Sequence, residues 1–79
     1  MNRPEEARDP VPDAKADWYR RFEAELASHG LPTSEVERTA ASTRAEAEAA
    51  GETPGELYGP AVLYAREVAS ALRDYQAAA

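Results

Sequence analysis

The chain has 79 residues, a formal net charge of −6 and no cysteine. A chain of this length forms one small domain with a thin core, and the lack of thiols excludes disulfides and zinc–thiolate sites. The acidic balance argues against direct binding to nucleic acid or to an anionic membrane surface, because both are negatively charged. We also expect no membrane-inserting segment, since no long apolar run is present.

Alanine is abundant and β-branched residues are few, which favours helix along most of the chain. Residues 1–13 are the exception, because they hold three of the six prolines. Each proline lacks a backbone N–H and restrains the residue before it. We therefore predict a flexible Pro-rich arm over residues 1–13 and a helical domain over residues 14–77.

The first predicted helix spans about residues 13–30. Trp18, Phe22 and Leu26 recur every fourth residue and form one apolar stripe along it. Gly30 is the predicted stop, since glycine reaches the left-handed conformation that closes many helices. We expect this stripe to supply the largest side chains of the core.

A second helix is predicted over about residues 33–50. Ser34 and Glu37 have the spacing of a capping box at its start, and Gly51 is the predicted stop. Its inward stripe consists of small residues: Val36, Ala40, Thr43 and Ala47, with Ala50 beyond them. Small side chains allow a neighbouring helix to approach closely, but they bury little apolar area.

The stretch from Thr53 to Pro60 predicts a corner. Thr53 is a good N-cap, Pro54 suits the first helical position and Glu56 completes a capping box, so we predict a short helical turn. Gly59 should end that turn in a left-handed or otherwise strained conformation, because the following proline restricts its predecessor.

The last helix is predicted to run from after Pro60 to about Gln76. Its inward stripe is predicted to comprise Ala61, Ala65, Val68, Leu72 and Tyr75. Projection at about 100° per residue places Leu63 on the opposite, polar face, together with Glu67 and Ser70. An exposed leucine is ordinary by itself, so this face indicates either a partner contact or a solvated surface.

The predicted fold is therefore all-α: a small three-helix bundle with a short extra helical turn before the last helix. The two bulkiest stripes should meet, so we expect Trp18 to be mostly buried near Val68 and Leu72 of the last helix. The alanine face of the second helix would then close over them.

No motif for catalysis or metal binding stands out. His29 is the only histidine, and at a helix end we expect its imidazole to interact with the terminal carbonyls. Glu46 and Glu48 are two residues apart, so they diverge on a helix instead of forming a catalytic pair. We predict no enzyme activity, no cofactor and no metal site.

The thin core favours a function through protein contacts, with a second copy or with a larger protein. The candidate contact residues are Leu63 with Glu67 and Ser70, or Leu57 and Tyr58 in the short turn. The alternative is a small-ligand binder or an accessory subunit of an enzyme complex, in which Tyr58, Tyr64 and His29 line a cleft.

Four segments carry a further pattern: GLPTSEVER at residues 30–38, RAEAEAAG at 44–51, LYGP at 57–60 and YARE at 64–67. Together they resemble the HAAS-type (helix-turn-helix-associated α-helical signalling) module of bacterial proteins, over about residues 17–73. Gly59 meets Pro60 directly, where that family usually has an acidic residue between them. The resemblance implies regulatory signalling or scaffolding through protein contacts, since modules of this kind often lie on the cytoplasmic side of membrane proteins or are encoded beside PadR-like regulators. It carries over no catalytic residue.

Overall fold

A computed structural model describes residues 14–78, with side chains through Tyr75. Over that range the chain forms four helices and no strand. They are α1 (Ala14–Ser28), α2 (Thr33–Ala50), α3 (Pro54–Tyr58) and α4 (Ala61–Ala78). The predicted all-α fold is confirmed, including the short helix before the last one. The predicted arm, residues 1–13, lies outside the described residues.

Helix α1 is the centre of the core. Phe22 and Leu26 have no exposed surface, and Trp18 and Tyr19 are buried beside them. Burial of a large apolar side chain stabilises the fold by about 1.5–3 kcal/mol, so this one helix accounts for much of the hydrophobic stabilisation. The predicted stripe is confirmed, and Tyr19 widens it.

Helices α2 and α4 pack on α1 in opposite directions. The Arg44 guanidinium of α2 lies 4.3 Å from the centre of the Tyr19 ring, which is an arrangement for a cation–π contact. Trp18 donates to the Gly59 carbonyl just before α4 and its ring lies 6.3 Å from the Tyr64 ring in the first turn of α4, whereas Glu25 lies 3.5 Å from Arg66 further along both helices. Helix α4 is therefore parallel to α1, and the connections place α2 antiparallel to both.

The inward stripe predicted for α2 is confirmed for its first four residues, which are buried, but Ala50 at the end of the helix is exposed. The capping box predicted for Ser34 and Glu37 is wrong. Pro32 is the N-cap, with an extended backbone, and no side chain caps this helix. The Pro32 carbonyl accepts the amides of Glu35 and Val36, both at 3.0 Å. Ser34 therefore lies inside the first turn, past the position from which a side chain can cap.

The stripe predicted for α4 is partly wrong. Ala61, Ala65 and Ala69 are the buried residues, and Tyr75 is 75% exposed, while Val68 and Leu72 are only half-buried. The alanines face α1 because its large side chains fill the space between the two helices. Tyr75 is exposed because α4 continues past the end of α1.

Trp18 is 9% exposed, so its predicted burial is confirmed, but its predicted neighbours are wrong. Its Nε1–H donates to the Gly59 carbonyl oxygen at 2.8 Å, and its ring lies 6.3 Å from the Tyr64 ring. In a parallel pair the start of α1 meets the start of α4, and Val68 is about one helical turn further on.

The corner predicted from Thr53 to Pro60 is confirmed. The Thr53 side chain accepts the Glu56 amide at 3.2 Å, and the Glu56 carboxylate accepts the Thr53 amide in return at 3.4 Å. Gly59 ends α3 with φ 87° and ψ −159°, a conformation available essentially to glycine alone. The short α3 contacts each of the other three helices.

Candidate partner-binding surface

The residues predicted on the outer face of α4 are brought together. Leu63 is 52% exposed, and Glu67 and Ser70 are exposed on the same side. Their spacing of four and three residues aligns them along one face of the helix, opposite the alanines that meet α1. We call Leu63, Glu67 and Ser70 the outer face of α4.

The two candidates in α3 differ from each other. Leu57 is 38% exposed. Tyr58 is half-buried, its hydroxyl donates to the Glu46 carboxylate at 2.7 Å, and its ring stacks on Tyr64 with 4.4 Å between centroids. The Tyr58 ring is therefore part of the internal packing, and only Leu57 presents an apolar side chain to solvent from this helix.

A groove between α2 and α4 was missed by the sequence reasoning. Within residues 14–78, no Cα atom of α2 lies within 8 Å of a Cα atom of α4, although both helices pack on α1. The space between them has a volume of about 340 Å³ and is open to solvent. Its lining residues are Arg38, Thr39, Ser42, Thr43 and Glu46 from α2, with Tyr64 and Val68 from α4.

One end of this α2–α4 groove is closed by the corner. The hydrogen bond from Tyr58 to Glu46 ties α3 to α2, and the stacked Tyr64 ring ties α3 to α4. No such link joins α2 to α4 at the Val68 end among the described side chains. The sequence does contain a partial indication of the groove, because Val68 and Leu72 widen the apolar face of α4 beyond its alanine stripe.

The closed end of the groove is electrostatically negative. Burial raises the pKa of Tyr64 above its ordinary value, and the nearby Glu46 and Glu67 carboxylates raise it further. The pKa of Tyr58 is raised in the same direction by burial and by its hydrogen bond to Glu46. Both phenols are therefore neutral at physiological pH, and the carboxylates supply the charge at this end. Arg38 is held by Glu35 at 3.0 Å.

The cleft proposed for Tyr58, Tyr64 and His29 does not form. The two tyrosines stack at the corner, whereas His29 lies just past the opposite end of α1. There its Nε2 atom is 3.1 Å from the Glu25 carboxylate, which also lies 3.5 Å from Arg66. The expected contact of His29 with helix-terminal carbonyls is replaced by this side-chain cluster, since Glu25 lies one turn earlier on the same face of the helix.

Two further properties concern the described residues as a whole. Residues 14–78 contain no helix that is both long enough and apolar enough to cross a membrane. In the same part of the chain, no cluster of three or more histidine, aspartate or glutamate side chains is arranged to hold a metal ion.

No family model, no curated protein and no solved structure matches the chain.

Proposed function

We propose that this chain is a small protein-interaction module of a cytoplasmic signalling or regulatory system. The single observation that carries the proposal is the outer face of α4, where Leu63 is 52% exposed beside two polar side chains. A single exposed leucine is ordinary by itself, so the proposal takes Leu63 together with its polar neighbours as one contact site, with an apolar centre and a polar rim. The resemblance to HAAS-type modules supports the same role.

The outer face is well placed for a contact because the opposite face of α4 is fixed. Ala61, Ala65 and Ala69 are 6% exposed or less, so α4 is held against α1 along this stretch. A partner therefore meets a preformed surface and does not pay to order it. The proposal assigns no catalytic residue and no cofactor, and its partner is a regulator, a membrane protein or a second copy.

Site-specific photo-crosslinking in the native host tests this proposal. A benzophenone amino acid at position 63 should give a discrete adduct, which mass spectrometry then identifies. The matched control carries the same amino acid at Ala45, which is exposed on α2. Equal labelling from both positions, or no adduct from position 63, would contradict the proposal.

Light scattering over a range of concentrations then separates self-association from binding of a different protein. If a second copy is the partner, the mean mass of the parent rises with concentration and the Leu63→Glu variant stays monomeric. If the parent instead stays monomeric and position 63 gives an adduct heavier than a dimer of the chain, the partner is a different protein.

A further inference from the structure

The α2–α4 groove has the position of a missing helix. Helices α2 and α4 both flank α1 without approaching each other within 8 Å over the described residues. A helix lying between them would pack on both, in the way that the fourth helix completes a four-helix bundle. Helix α3 closes the Tyr58 end through its hydrogen bond to Glu46, and the groove runs from there past Val68, which is the direction in which such a helix would extend.

The two walls of the groove differ in chemistry. The α4 wall presents Tyr64 and Val68, which offer apolar surface, and the α2 wall presents the hydroxyls of Thr39 and Ser42. A helix that fits between them needs one apolar stripe toward α4 and tolerates polar neighbours toward α2. Recognition of an amphipathic helix in a groove is a recurrent mode of protein binding.

The charge of the groove indicates which charge its occupant should carry. Glu46 lines it, and Glu67 acts on the same Tyr64 phenol from the α4 side. Arg38 also lines the groove, but its guanidinium is paired with Glu35. The whole chain adds a net charge of −6. Basic side chains flanking the apolar stripe of an incoming helix would complement this field.

We propose that the α2–α4 groove binds a basic amphipathic helix of a partner protein. This inference rests on the proposed role in protein contacts and adds a second surface to the outer face of α4. A second copy of the chain is a poorer occupant, because it brings the same negative charge to the contact. Glu67 belongs to the outer face and also acts on Tyr64, which lines the groove, so the two surfaces adjoin and one partner can contact both.

A synthetic peptide is the direct probe. It has 18 residues, the length of α4, with leucines along one face and lysines on both flanks. The matched control peptide has glutamate in place of every lysine. We expect the basic peptide to bind at least about ten-fold more tightly than the acidic one, and more weakly as salt is added. Backbone amide shifts of the full chain in NMR should map the contact to Thr39, Ser42 and Val68.

Two variants test the location. Ser42→Lys places a positive charge in the groove, and Ala41→Lys places the same charge on another face of the same helix. Both positions are exposed, and lysine is a good helix former, so both variants should fold. Ser42→Lys should weaken binding of the basic peptide by at least about ten-fold, while Ala41→Lys changes it by less than about two-fold.

Several results would overturn the inference. They are equal binding of both peptides, equal effects of the two variants, and amide shifts spread over the surface without a focus at the groove. Concentration-dependent shifts of the groove amides without peptide would assign the groove to a second copy. Shifts of residues 1–13 caused by Ser42→Lys alone would assign it to the chain's own N-terminal segment.

The test is independent of the one for the proposed function. If the basic peptide fails to bind while position 63 still gives its adduct, the groove inference falls and the interaction module stands. If position 63 gives no adduct and the peptide binds, the proposed contact at the outer face of α4 falls instead.

Discussion

The two ends of the α1–α4 pair are held in different ways. At the corner, the Trp18 indole donates to the Gly59 carbonyl and the Tyr58 hydroxyl donates to Glu46. At the far end, α4 runs past the end of α1, Leu72 is half-buried and Tyr75 is 75% exposed. Hydrogen bonds thus hold the corner, whereas the far end has partly exposed apolar side chains and the ion pair of Glu25 with the largely exposed Arg66. Residues that act at the corner should therefore matter most.

Replacement of the corner tryptophan should have the largest effect. Trp18→Ala removes a buried ring and leaves the Gly59 carbonyl without its indole donor, so the free energy of unfolding should fall by about 3–5 kcal/mol. Tyr75→Ala at the far end should change it by less than about 0.5 kcal/mol. Denaturant unfolding followed by circular dichroism measures both. Similar losses for the two variants would remove the contrast between the ends.

The backbone of the corner gives the next largest effect. Gly59→Ala forces a side chain into the conformation with φ 87° and ψ −159°, which should cost about 1–3 kcal/mol. Gly55→Ala is the matched control, because its added Cβ would meet the Trp18 ring at an ordinary 3.8 Å. That variant should match the parent or exceed it slightly, since alanine favours helix over glycine. Thermal unfolding of both compares them directly.

The starts of α2 and α3 carry similar capping residues in the sequence, but only Thr53 of α3 forms a side-chain cap. Thr53→Ala removes a formed cap and should lower the free energy of unfolding by about 1 kcal/mol. Ser34→Ala should change it by only a few tenths of a kcal/mol, because Pro32 occupies that N-cap. Urea titration of both variants is sufficient. An equal cost at both positions would mean that Ser34 also acts as a cap.

The smallest effect concerns the link that closes the groove. Tyr58→Phe removes the hydrogen bond to Glu46 and should cost about 0.5–1 kcal/mol at neutral pH. The folded state raises the pKa of Tyr58 above its ordinary value of about 10. Its contribution is therefore complete below about pH 10 and is lost as the pH rises toward the folded-state pKa.

The pH dependence of the free energy of unfolding can be compared between the parent and Tyr58→Phe. The parent should lose stability above about pH 10, and Tyr58→Phe should lose less over the same range, with Tyr19 and Tyr64 responsible for the remaining slope. Unfolding free energies from neutral to alkaline pH give both curves. Parallel curves would show that Tyr58 ionises alike in the folded and unfolded states.

Most local features were predictable from the sequence, with the cap of α2 as the exception, and the relative placement of the helices was not. The Thr53 cap, the conformation of Gly59 and the stripe of α1 depend on residues within a few positions of one another. The neighbours of Trp18 depend on helix direction, which the stripes do not encode. The α2–α4 groove depends on the distance between two helices that pack on α1 and α3 but not on each other, so no spacing within a single helix reveals it.

The predicted contact residues show the same difference between features set by nearby residues and features set by the packing of helices. The exposure of Leu63 followed from its helical phase alone, since a residue opposite the buried stripe lies on the surface. The role of Tyr58 did not follow, because its partner Glu46 is twelve residues away in another helix. That bond ties α3 to α2, while the partner contact predicted for Tyr58 stays a prediction.

Residue-resolved amide hydrogen exchange of the free chain tests the central claim, one closed end and one open end, most directly. Amides of α1 from Trp18 to Leu26 and of α4 from Ala65 to Ala69 should exchange only through global unfolding. Amides of α4 from Leu72 onward should exchange at least about ten-fold faster. Uniform protection from Ala65 to Tyr75, or faster exchange at the corner than beyond Leu72, would contradict the account.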